Sequence, residues 1–253
     1  MINKDELEKY FIYDEPIPYK NLLIHPVTMY NYMDFFMSVN CLIMEKNKIP
    51  DPKIISMSYL DFLFNLIETT SEGKYYIFML MKILELCLKQ NVEDIKYIKN
   101  EKGKINLIIK DETIDKNDFD NIKNIILYQN IPDYDDSYID PKVEAALKEA
   151  QEFINRNQKK MASLEDQIVC VMLALHETDK TKIHNLTIRK FTKIIQRYDY
   201  KLHYEIYKQA ECSGMVTFKK EIDHWMTEIS NKKYSDVIVD YGEFKGKIES
   251  VKK

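Results

Sequence analysis

Between Thr28 and about Glu45 the polar residues Asn31, Asp34, Ser38 and Glu45 trace one narrow stripe along a helix. Met29, Tyr32, Met33, Phe35, Phe36, Met37, Val39, Leu42 and Ile43 fill the remaining surface, so the spacing predicts a helix that is covered over most of its circumference. The pattern recurs twice. Ser58, Asp61, Asn65 and Glu68 face Tyr59, Leu60, Phe62, Leu63, Phe64, Leu66 and Ile67, and from about Lys74 to Gln90 a stripe of Lys82, Glu85 and Lys89 faces Tyr76, Phe78, Met79, Leu80, Ile83, Leu86 and Leu88. Ser58 followed by Asp61 resembles a capping box that opens the second of these helices.

The rest of the chain is punctuated more evenly. Ile17 to Val27, with Pro18 and Pro26, suits an extended or edge segment. Ile95 to Ile98 and Ile105 to Ile109 flank a polar stretch containing Gly103 and predict a hairpin. Further helices are expected from about Asn117 to Tyr128, from Lys142 to about Asn157 behind Asp140 and Pro141, and after Ser163 with Leu164, Ile168, Val171, Met172 and Leu175 buried. Beyond a polar turn at Thr178 to Asn185, a long helix from about Thr187 to Glu211 carries Ile188, Phe191, Ile195, Tyr198 and Leu202 on one face and stops at Gly214. Short strands at Met215 to Phe218 and Val237 to Val239, and a short helix around Trp225, complete the reading. The fold class is mainly α (α+β): a helical bundle with a small β-hairpin and short peripheral strands. The division runs 1–130, an acidic connector at 131–140, and 141–253 with a Lys-rich tail.

Three successive helices with wide apolar faces bury one another only in part. Two covers are open: the C-terminal half of the chain, or a partner or subunit surface. Under the second, the protein-binding residues are Tyr32, Phe35, Phe36, Phe62, Phe64, Phe78 and Met79.

Charge narrows the partners. Lys+Arg 37 against Asp+Glu 41 gives a net charge of -4, so no whole-molecule field draws the chain to nucleic acid or anionic lipid. With only 5 glycines, against an average share of about 7%, a Gly-rich phosphate cradle is disfavoured. Cys41, Cys87, Cys170 and Cys212 lack paired spacing and are expected to be reduced core thiols. Met1 to Tyr10 is charged, and the apolar stretch Tyr75 to Leu88 is broken by Lys82 and Glu85, so neither export nor membrane insertion is expected.

Candidate chemistry is sparse. Arg189, Lys190, Lys193 and Arg197 cluster on the second helix of a helix, turn, helix order, but the turn is too long for a DNA-reading unit and Phe191 and Ile195 need the inward face. Asp133, Asp135, Asp136 and Asp140 lack the Gly and Glu of a calcium loop. Asp240, Glu243 and Lys245 faintly resemble a nuclease arrangement that chance supplies in so charged a chain. His25, His176, His184, His203 and His224 show no metal-binding spacing, and no Ser or Cys sits in a nucleophile context. The expectation is a non-enzyme with no catalytic, cofactor-binding or metal residues.

The stretches Leu164-Glu-Asp-Gln-Ile-Val, Leu186-Thr-Ile-Arg-Lys-Phe, Tyr204-Glu-Ile-Tyr, Ala210-Glu-Cys-Ser-Gly-Met-Val-Thr-Phe-Lys and Ile222-Asp-His-Trp-Met, with Pro16-Ile-Pro-Tyr-Lys and Pro52-Lys-Ile-Ile-Ser-Met-Ser-Tyr-Leu nearer the start, resemble tail assembly chaperones from phages of low-GC Gram-positive bacteria. That resemblance implies a helper in the host cytoplasm that coats a helical tape-measure client, yields to tail-tube protein and forms a homo-oligomer. A wide Met- and aromatic-rich surface suits such a client. The rival readings are a virion structural subunit and a DNA-binding regulator.

Overall fold

The computed structural model describes residues 3–46, 49, 51–99, 105–135, 141–156, 162–214, 216–218 and 221–227. The turn of the predicted hairpin at 100–104, Asp136, Asp140, Met215 and everything from 228 onward, with Val237 to Val239, Asp240, Glu243 and Lys245, lie outside the described residues. The fold is mainly α with two small antiparallel sheets.

In chain order the elements are α1 (Glu8–Tyr13), β1 (Ile17–Tyr19), β2 (Leu22–Ile24), α2 (Tyr32–Ser38), α3 (Asn40–Ile43), α4 (Pro52–Ser56), α5 (Tyr59–Thr69) and α6 (Gly73–Leu88). They continue with β3 (Ile95–Lys99), β4 (Ile105–Ile109), β5 (Glu112–Ile114), α7 (Lys116–Asn130), α8 (Pro141–Arg156), α9 (Leu164–Leu175), α10 (Lys180–His184) and α11 (Ile188–Cys212). They form two compact units. The first comprises Met1–Pro132 and Val171–Ile195, the second Asp133–Cys170 and Gln196–Lys253.

In the first unit, α5 packs on α6, α7 and β4, while α6 also takes α2 and β2. Its centre is built from Leu60, Phe62, Leu63 and Phe64 of α5, Leu80, Ile83 and Leu84 of α6, Leu107 and Ile109 of β4, and Phe119, Ile122, Ile125 and Ile126 of α7. The cover over the apolar helices α5 and α6 therefore comes largely from α7, β4 and β2, not from the C-terminal half alone. In its second half α7 is buried all round, with Asn124, Gln129 and Asn130 inside as well. Asn130 is satisfied at both ends, its Oδ1 accepting from the Val27 N–H at 2.8 Å and its Nδ2 donating to Ile126 O at 2.9 Å, while Gln129 Nε2 donates to Ile24 O at 3.3 Å and its Oε1 is buried without a partner among the described residues.

The extended segment at 17–27 is a tight hairpin, with Ile17 opposite Ile24 and Tyr19 opposite Leu22. Lys20 takes a positive φ of 51° at its turn. The second hairpin pairs Ile95 with Ile109 in register and gains a third strand, β5, which had no strong sequence signal because it is three residues long.

Local chemistry explains the helix starts. Ser58 Oγ accepts from the Asp61 N–H at 3.1 Å and donates to Asp61 Oδ2 at 2.7 Å. Asp115 opens α7 with a full capping box, its carboxylate taking the Asn117 and Asp118 N–H groups. The expected helix from Thr28 to Glu45 is instead a 3₁₀ turn at Met29–Asn31 followed by α2 and α3, interrupted at Val39. Ser38, expected on the polar stripe, is buried, its hydroxyl donating to Asp34 O at 2.6 Å. The supposed turn at Thr178 to Asn185 holds α10, capped by Asp179.

In the second unit, as described, α8, the first part of α9 and the C-terminal part of α11 supply the helices. α11 ends at Cys212, and Gly214, two residues on, has a φ of 71°, the left-handed value expected after a helix. Residues 216–218 form no strand and 221–227 no helix, contrary to the sequence expectation; the chain there makes a turn in which the Thr227 N–H donates to His224 O.

Candidate protein-binding surfaces

The seven residues proposed from sequence separate cleanly. Phe35, Phe62, Phe64 and Met79 are buried in the core of the first unit and present no surface. Phe36 and Phe78 are more than half exposed, at 57% and 58%, and Tyr32 is half-buried, its ring stacked on Phe36 at 6.0 Å. The stripe reading failed here because α2 lays a single side, Phe35 and Ser38, against α6.

What remains outside is a hydrophobic face. Tyr30, Met33, Phe36 and Met37 are exposed along the 3₁₀ turn and α2, and Tyr75 and Phe78 along α6. Lys82 Nζ, 3.3 Å from Asp34 Oδ2, bridges the two helices, and Phe78 lies one turn before Lys82 on the same side of α6. The two exposed rows are thus carried by helices that pack directly on each other.

The basic cluster of α11 is engaged within the protein. Arg189 Nη1 donates to Tyr128 O at 2.7 Å while its guanidinium lies 4.4 Å from the Phe11 ring centre. Lys190 pairs with Asp14 at 2.8 Å, and in the second unit Arg197 Nη1 donates to Trp225 O and Thr227 O. Of the five inward positions on that helix, Ile188 and Phe191 are buried, Ile195 is half-buried, and Tyr198 and Leu202 are exposed. The stripe expected on α9 also thins out, with Val171 buried and Leu175 exposed.

Titratable groups follow their surroundings. Burial pushes the Cys41 thiol up to about 12 and raises Cys87 further, whereas Cys170 and Cys212 are exposed and so are not core thiols. His25 is held below its ordinary value by burial and by the charge of Lys89. At the first hairpin, Lys20 Nζ lies 2.5 Å and the Tyr19 hydroxyl 2.9 Å from Asp118, and Asn121 Nδ2 donates to the Tyr19 oxygen. Burial alone would push the Asp118 carboxyl up, but these donors and the Asp115 N–H hold it below the usual range. This cluster pins β1 to α7. Asp133, from the acidic connector, accepts from Gln196 Nε2 at 2.5 Å. Among the described residues no group of three or more His, Cys, Asp or Glu is placed to hold a metal ion, and no helix is long and apolar enough to cross a membrane.

A feature that sequence reasoning missed lies in the second unit. Tyr200, His203, Tyr204 and Tyr207 of α11 face Phe218, Glu221, Ile222 and Asp223 around a cavity of about 390 Å³. The signal was present as aromatic rings at 200, 204 and 207, one helical turn apart, with Phe218 and Trp225 following.

The region that builds this cavity is also where a relationship to known proteins is found, and it is a phage-associated one, pointing to a phage protein. Residues 155–230 match the family model of the YomV second domain, YomV being a protein of a Bacillus prophage. The match covers well under half of the chain. No curated protein and no solved structure matches it.

Proposed function

We propose that this protein is a non-enzymatic phage tail assembly chaperone that binds a helical, tape-measure-type client and self-associates in the host cytoplasm. The observation that carries this reading is the exposure of Tyr30, Met33, Phe36, Met37, Tyr75 and Phe78 on helices that bury other side chains in the core. Large exposed side chains of this kind are costly to leave in water, and contiguous apolar patches mark interaction sites. Methionines and aromatic rings adapt to the ridges of an amphipathic helix. The match to a phage-associated family supports the setting.

Coexpression with the tape-measure protein of the same phage, followed by purification of the complex, tests it. The wild-type chain is expected to keep that client soluble, and a Phe36→Asp, Phe78→Asp double variant with unchanged circular dichroism to lose it. Stoichiometric presence of the chain in purified particles, measured by mass spectrometry, would replace the chaperone with a virion subunit.

A further inference from the structure

We propose that the aromatic cavity of the second unit is a receptor for a basic side chain, a lysine or arginine, carried by a partner polypeptide. The proposal is independent of the client-binding face, which lies in the first unit. The cavity's volume of about 390 Å³ is at the small end for ligand pockets, room for one long side chain with its flanking backbone.

Its walls have the chemistry that cations seek. Tyr207 lies 5.6 Å from the Phe218 ring and 6.0 Å from His203, stacked on the latter, and Tyr204 meets His224 edge-on at 5.0 Å. Aromatic faces carry negative charge density, and a cation within about 6 Å of a ring centre is attracted to it. Lys208 Nζ already stands 6.0 Å over the Tyr204 ring, with Glu211 as its counter-ion at 2.9 Å, so this wall accepts a cation. The methylene stem of an incoming lysine or arginine would lie along the rings and Ile222.

The rim decides the sign of the ligand. Glu221 and Asp223 line the opening; Glu221 already faces the charge of Lys208, whereas Asp223 forms no ion pair within 4 Å among the described residues. A nucleotide would stack its base on the same tyrosines, but its phosphates would meet these carboxylates. A basic side chain instead gains a counter-charge, and a neutral apolar one gains nothing from the rim.

The test uses the full chain with N-acetyl-lysine amide, N-acetyl-arginine amide and the neutral N-acetyl-norleucine amide as probes. Trp225, the single tryptophan, stands 5.7 Å from His224 and reports by its fluorescence. A saturable change with the basic amides in the millimolar range is expected, with none from norleucine amide. A Tyr204→Leu variant should weaken binding about fivefold. If that variant does not fold, the surface pair Glu221→Gln, Asp223→Asn carries the same expectation. Equal binding of all three amides, no saturation with either basic amide, unchanged affinity in folded variants, or tighter binding of a single-stranded oligonucleotide would each overturn the proposal.

Discussion

Gly73 opens α6 at a point where the chain passes over the end of α5, and a Cβ there would lie 2.0 Å from the Ile67 carbonyl oxygen. No side-chain rearrangement relieves a clash with backbone. Gly73→Ala should therefore cost about 1–3 kcal/mol, as overpacking does, seen as a lower urea midpoint with the helix signal retained. Asp118 gives a pH prediction with a definite sign. Its folded-state pKa is depressed, so its contribution is complete above the unfolded value of about 3.9 and is lost as pH falls through the folded one. The wild type should lose stability below about pH 4, and Asp118→Asn should start less stable at neutral pH and show a shallower acid limb. Thiol labelling separates the cysteines: iodoacetamide should modify Cys170 and Cys212 in the folded protein and spare Cys41 and Cys87 until denaturant is added. Residue type alone could not make that distinction, because a Cys reads as a core residue by default.

At the scale of elements, legibility followed hydrogen-bond chemistry and periodicity. Ser58, Ser163 and Gly214 marked helix ends that the structure places within two residues. The three apolar helices exist, but which of their large side chains face inward depended on partners far along the chain. Phe35 and Phe36 are adjacent and identical in type, yet one is 4% and the other 57% exposed. Hence Phe35→Asp should unfold the first unit, since burying an unpaired carboxylate costs several kcal/mol, while Phe36→Asp should leave the thermal midpoint nearly unchanged and weaken client binding. Differential scanning fluorimetry on the two variants distinguishes these outcomes. β5 and the dominance of α7 in the core escaped the sequence reading because a three-residue strand carries no period and a helix whose second half is buried all round carries little amphipathic asymmetry there.

At the scale of the whole chain, the acidic balance and the engagement of Arg189, Lys190 and Arg197 in internal bonds both argue against a nucleic-acid surface on α11. Titration with duplex DNA at about 50 and 200 mM salt should give no binding at either, where a site with 6–10 phosphate contacts would lose about 10³–10⁵ in affinity over that range. Tight, salt-sensitive binding abolished by Arg189→Ala with Arg197→Ala would restore the regulator reading. The aromatic cavity at 200–223 was legible only as a spacing, since its far wall comes from residues whose helix and strand expectations were wrong.

The first unit is stitched shut late. Asp14 accepts from Thr187, 173 residues away, and from Lys190, 176 away, while the Ile188 N–H donates to Val27 O and Thr28 bridges to Thr187. Closing loops of that length costs entropy before any contact repays it, which slows folding. On a ribosome adding about 5–20 residues per second, the nascent amino-terminal portion must wait roughly ten seconds or more for its last partner to emerge. During that interval Asp14, Val27 and Thr28 lack their closing clasp, so the amino-terminal portion leaves the ribosome with its seam still open.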